Sequence, residues 1–191
     1  RSNHRFCPLN HNFRDYVENV VGILCEAEPD FLILDDDFRI LLNGMGCFCQ
    51  EHLARFAKLA KKHYSRENLQ KILNQTDPES VRIGNLYRRM LMDSLQEVAA
   101  GIRKTIDRKN PELRCGFCTS SEGEYAYAAE TAKILSGKTE PFVRLNNGFY
   151  IEDGSLSFPY RQMSTAIQQH YISREVSETI SECDTFPHNR Y

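Results

Sequence analysis

Apolar residues along this chain alternate between helical stripes and short unbroken runs. From Phe13 they fall at 13, 16, 17, 20, 21 and 24, a 3.6-residue pattern that predicts a helix with Asn12 at its N-cap. Pro29-Asp30 closes that helix. The run Phe31-Leu32-Ile33-Leu34 follows, too short for a helix and bounded by acids, which predicts a buried strand over 31–35. A second helix starts near Gln50 and turns Leu53, Phe56, Leu59 and Ala60 inward, and a third covers 66–73 behind Ser65. Asp77-Pro78-Glu79 combines an N-cap, a proline at the first helical position and an early acid. It opens a helix to about Asp107 with Ile83, Tyr87, Leu91, Leu95, Val98, Ile102 and Ile106 on its inner face. Gly84 and Gly101 each weaken that helix by roughly 1 kcal/mol relative to Ala, enough to allow a kink.

Asn110-Pro111 breaks the chain before a short strand over 113–118 that ends in Thr119-Ser120-Ser121. A helix over 124–135 carries Tyr127, Ala128, Thr131, Ile134 and Leu135 on one side and stops at Gly137. Strands follow at 141–145 and 178–183, separated by a helix over 160–171. The order α, β, α, α, β, α, β, α, β, with every strand ending in polar residues, predicts a parallel α/β array with right-handed crossovers. Four such strands make either half of an eight-stranded TIM-type barrel or a small open sheet, and the pattern does not choose between them. No repeat or linker divides the 191 residues, so one domain is expected, either whole or part of a longer chain; Arg1 in place of an initiator Met favours the latter.

Composition narrows the function classes. A formal charge of −2 supplies no basic field for nucleic acid or an anionic membrane. No apolar run approaches the roughly 20 residues a membrane span needs, and no secretory signal opens the chain. Seven cysteines, an odd number in a chain of this size, point to reduced thiols in a cytoplasmic setting and to metal binding where thiols cluster.

Two constellations carry chemistry. Asp35, Asp36 and Asp37 end the first strand, and Glu182 and Asp184 lie in or just after the last. In one parallel sheet both groups share the carboxyl edge, where two carboxylates across a cleft suffice for glycoside hydrolysis. Three adjacent acids also suit a divalent cation, which leaves a metal-dependent hydrolase as an alternative. Cys47-x-Cys49-x-x-His52 offers three zinc-type ligands at a helix start, and Cys7, before the first helix, is the candidate fourth. Cys115-x-x-Cys118 spans a strand whose alternation points the two side chains apart, so these read as core thiols, as does Cys25. Arg39 follows the acids and could pair with Asp37 or orient a substrate hydroxyl. Asn146, in an Asn-Asn-Gly turn, could donate to a ligand.

The layout of these residues resembles the catalytic barrel of family 42 glycoside hydrolases, the bacterial β-galactosidases. There a Cys-Pro precedes the helix leading to the fourth barrel strand, that strand ends in Asp-Asn-Glu-Phe, and a C-x-C-x-x-C completes a structural zinc site. Here Cys7-Pro8, Asp35-Asp36-Asp37-Phe38 and Cys47-x-Cys49-x-x-His52 stand in those places. The match covers residues 7 to about 74 and continues beyond only as strand order. The resemblance implies that the strands beginning at 31, 113, 141 and 178 are the fourth to seventh of a (β/α)8 barrel. It implies Asp37 as general acid/base and Glu182 as nucleophile of a retaining glycosidase. Asp36 and Arg39, with Asn146, would position the carbohydrate, and Cys7, Cys47, Cys49 and His52 would hold structural zinc. Asp36-Asp37 replaces the family's Asn-Glu, so a non-catalytic, zinc-stabilised sugar-binding or scaffold relative is the alternative. The remaining strands would come from a longer chain or from a homo-oligomer.

Overall fold

The computed structural model describes residues 6–35, 38–40, 46–119, 122–145 and 170–181. Among them are five α-helices and four β-strands in the order α1 (His11–Glu26), β1 (Phe31–Leu34), α2 (Gln50–Ala60), α3 (Arg66–Leu73), α4 (Pro78–Lys109), β2 (Arg114–Cys118), α5 (Glu122–Ser136), β3 (Phe142–Leu145) and β4 (Glu178–Ser181). None of the described helices is long and apolar enough to cross a membrane. The chain divides into two compact units: residues 1–20 with 40–101, and residues 21–39 with 102–191.

The first unit is helical. Its core is the stripe anticipated on α4, with Tyr87 and Leu91 fully buried and Ile83, Leu95 and Val98 nearly so. Phe56 of α2 packs edge-on against Tyr87 with ring centroids 4.9 Å apart, and Leu69 of α3 is fully buried. The caps explain where the helices begin. Ser65 accepts from Asn68 N–H at 3.1 Å, and Asp77 Oδ1 accepts from Ser80 N–H at 3.0 Å, as their positions before α3 and α4 predict. Gly84 and Gly101 do not interrupt α4, which runs as one helix of 32 residues. At α1 the cap is Asn10 rather than Asn12: Asn10 Oδ1 accepts from Phe13 N–H at 3.0 Å and its carbonyl accepts from Arg14 N–H. The turn closed by Asn10 N–H on the Cys7 carbonyl starts the helix two residues early. The buried arc of α1 is also narrower than its apolar stripe, since Tyr16, Val20 and Leu24 are exposed. Leu59 of α2 is likewise exposed.

The second unit is built on a four-stranded sheet in the order β1-β2-β3-β4, every neighbouring pair parallel. Strand order equals chain order, so the sheet has no reversal point. Cys115 and Phe117 of β2, and Val143 and Leu145 of β3, are buried, as are Ala128, Ala132 and Leu135 of α5. Helix α5 ends where predicted, with Gly137 in the left-handed conformation at φ 58°. The buried Arg103 guanidinium donates to the carbonyls of Leu135 and Ser136 at that helix end, and to Leu113 and Pro111 before β2. A cation therefore satisfies backbone acceptors that burial would otherwise orphan. Of the predicted helix over 160–171 only its end is described, as a helical turn at 170–172. The continuation of β4 beyond Ser181 lies outside the described residues.

Candidate metal centre

Cys7, Cys47, Cys49 and His52 come together as the sequence spacing anticipated. Their ligand atoms all lie within 4.8 Å of one another, and they form the one group of three or more His, Cys, Asp or Glu side chains suited to a metal among the described residues. Cys7 Sγ is 3.5 Å from Cys49 Sγ and 3.4 Å from His52 Nδ1, and Cys49 Sγ is 3.3 Å from the same nitrogen. All four belong to the first unit. Three thiols and one imidazole converging in this way could hold a metal ion.

Each ligand is held by local structure. Cys7 is the first residue of the turn that starts α1. Pro8 fixes that loop through its carbonyl, which accepts from Arg14 Nε at 2.5 Å. Cys49 is the N-cap of α2: its backbone is extended and its sulfur accepts from His52 N–H at 3.5 Å. His52, in the first turn of α2, is fully buried rather than on the helix surface. Cys47 sits in the loop between Gly46 and α2. Gly46 has φ 79°, and a Cβ there would lie 2.3 Å from Leu91 Cδ1, so only glycine lets the loop enter over α4. Tyr87 Oη donates to the Cys47 carbonyl. The Phe48 ring stacks on Tyr87 with centroids 5.4 Å apart, and Arg66 donates to the Phe48 carbonyl at 3.1 Å.

A second layer that spacing did not reveal completes the site. Ser94 Oγ lies 3.0 Å from His52 Nε2 and donates to the Leu91 carbonyl at 2.6 Å. The serine proton is thus used, so its oxygen accepts from Nε2–H, and the Nδ1 lone pair is left facing the sulfurs. One turn further along α4, Glu97 receives Arg14 Nη2 at 2.6 Å and Arg55 Nη2 at 2.5 Å. It thereby joins α1, which follows Cys7, to α2, which bears His52. The signal for Ser94 was present: it continues the apolar stripe of Tyr87, Leu91 and Val98 on α4 as a lone polar residue.

Protonation follows from burial. Burial, with repulsion from Arg55 and Arg14 exceeding the attraction of Glu97, brings His52 down to about 4, so its imidazole is neutral at neutral pH, the ligating form. Burial pushes the Cys7 thiol up to about 12, with Cys49 and Cys47 adding to the rise. Burial raises Cys47 as well. A dication bound among the sulfurs would reverse this, because its positive charge favours the thiolate form. Burial opposes ionisation of Glu97, but hydrogen bonds from Arg55 and Arg14 hold its carboxyl below the usual range.

Cys25, Cys115 and Cys118 are buried apart from this cluster, as core thiols. Asp35 lies just past β1 with its side chain 83% exposed. Arg39 is half-buried, beyond a turn in which Phe38 N–H donates to the Asp35 carbonyl. Asp36, Asp37, Asn146 and Glu182 lie outside the described residues. No known family, curated protein or solved structure matches the chain.

Proposed function

We propose that the chain is the catalytic core of a glycoside hydrolase of the family 42 type, carrying a structural zinc site. The observation that supports this reading is the convergence of Cys7 with Cys47, Cys49 and His52. A Cys-Pro before one helix and a C-x-C-x-x-H after the acid-bearing strand meet in space, as the resemblance implies. A tetrahedral zinc, with Zn–S about 2.3 Å and Zn–N about 2.0–2.1 Å, sets S···S edges of about 3.8 Å and S···N edges of about 3.5 Å. The three separations here, 3.5, 3.4 and 3.3 Å, fall slightly inside those edges. Four protein ligands leave no open position, so the metal would stabilise the fold and take no part in a reaction.

The all-parallel sheet with strand order equal to chain order is the arrangement expected of consecutive strands from a (β/α)8 barrel. On this reading β1 to β4 are the fourth to seventh strands. Asp37 protonates the leaving oxygen and Glu182 attacks the anomeric carbon, with retention. Asp36, Arg39 and Asn146 position the sugar. The protein would work in the cytoplasm on a carbohydrate substrate.

The test is aryl-glycoside hydrolysis by the wild type against Glu182→Gln and Asp37→Asn. Loss of at least about 100-fold in both variants is expected; full activity in both would end the catalytic assignment. The closed ligand set equally suits a zinc-stabilised, non-catalytic sugar-binding relative. That reading predicts glycoside binding without turnover in the wild type.

A further inference from the structure

Arg144 is a charged residue that the fold seats beside the acid-bearing strand. It belongs to β3, an inner strand whose four residues are all buried. Strand alternation puts Phe142 and Arg144 on one face of the sheet and Val143 and Leu145 on the other. The register places Phe31 and Ile33 of β1, and Arg114, Gly116 and Cys118 of β2, on the face of Phe142 and Arg144. At the amino end of this face Arg114 pairs with Glu178 at 2.8 Å and lies over the Phe142 ring. At the carboxyl end Arg144 Nη1 is 3.2 Å from Cys118 Sγ and 3.5 Å from Asp35 Oδ1.

A guanidinium is an expensive way to fill an inner strand, because an apolar side chain of similar volume avoids the desolvation. Its charge is placed at the edge where the first of three consecutive acids emerges. Asp35 in turn anchors the turn beyond it, since its carbonyl accepts from Phe38 N–H at 3.0 Å.

We propose that Arg144 is a positioning residue, which holds the end of β1 and the turn after it against the carboxyl edge of the sheet, so that the acids are presented to the sugar in one place. This role rests on the hydrolase reading.

The experiment compares wild type, Arg144→Met, Arg144→Lys and Asp35→Asn, by kcat and KM on an aryl glycoside and by hydrogen exchange at the Phe38 amide. In Arg144→Met, kcat is expected to fall at least about tenfold, with KM changed less than about twofold. Phe38 exchange accelerates, and Arg144→Lys restores most of both. A folded Arg144→Met with wild-type kcat and wild-type Phe38 exchange overturns the role. An inactive wild type overturns the hydrolase reading, and Phe38 exchange then still decides whether Arg144 holds the turn. If Arg144→Met does not fold, Asp35→Asn breaks the same pair from its exposed side. Unchanged Phe38 exchange in that variant overturns the proposal.

Discussion

Ser94 Oγ accepts from His52 Nε2 at 3.0 Å while donating to the Leu91 carbonyl at 2.6 Å, and this pair decides which imidazole nitrogen faces the thiols. The serine lies outside the cluster, yet it orients His52 and fixes the tautomer in which the imidazole could serve as a ligand. Ser94→Ala removes that acceptor from a fully buried position. Metal affinity is expected to fall by roughly 10–100-fold, read by competition with a chromophoric chelator. Unchanged affinity would show that helix packing alone orients His52.

Metal removal should loosen the first unit. An ion present at a thousand times its Kd stabilises the folded state by about 4 kcal/mol. At about 2–4 °C per kcal/mol for a chain of this size, stripping it lowers Tm by roughly 8–16 °C. Differential scanning calorimetry with and without chelator measures this, and Cys47→Ser should reproduce the stripped value. A Tm indifferent to chelator would mean that the cluster is not metal-loaded.

Acid should release the metal. Near neutral pH His52 already carries no ligand-blocking proton, because burial and the neighbouring arginines bring it to about 4. The Cys7 and Cys47 thiols, raised by burial, must shed theirs to bind. Affinity therefore rises with pH, by about tenfold per unit for each thiol proton released. Folding of the metal-free chain responds in the same direction. Between its ordinary 6.5 and about 4, His52 is protonated when unfolded but not when folded. The unfolded state then binds more protons, and stability falls as pH drops through that window. Chelator competition at pH 6, 7 and 8 should give progressively tighter binding; a flat profile would contradict the protonation scheme.

Gly46→Ala should destabilise the loop that presents Cys47. The backbone there is left-handed and a Cβ would meet Leu91 Cδ1 at 2.3 Å. A cost of about 1–3 kcal/mol is expected from the backbone conformation, before any repacking of Leu91. Urea denaturation measures it, and a variant as stable as the wild type would show that the loop can yield.

The elements were legible where the chain states them redundantly. Asp77-Pro78 and Ser65 mark helix starts by chemistry that acts within one turn, and the stripe from Ile83 to Ile106 repeats over many turns, so α3 and α4 agree with their predicted limits. Cys47, Cys49 and His52 were legible for the same reason, as neighbours in sequence. Asn10 and Asn12 are equivalent by residue type, and only the turn back to the Cys7 carbonyl distinguishes them. Ser94, Glu97 and Arg144 act through partners dozens of positions away. Nothing local separates them from ordinary helix or strand residues, except that Ser94 and Arg144 are polar where their elements bury side chains.

X-ray absorption at the zinc edge of the purified protein tests the central claim most directly. One zinc per chain is expected, with three sulfurs at about 2.3 Å and one nitrogen at about 2.0–2.1 Å. A metal-free protein, or a shell of oxygen and nitrogen without three sulfurs, would contradict the site formed by Cys7, Cys47, Cys49 and His52.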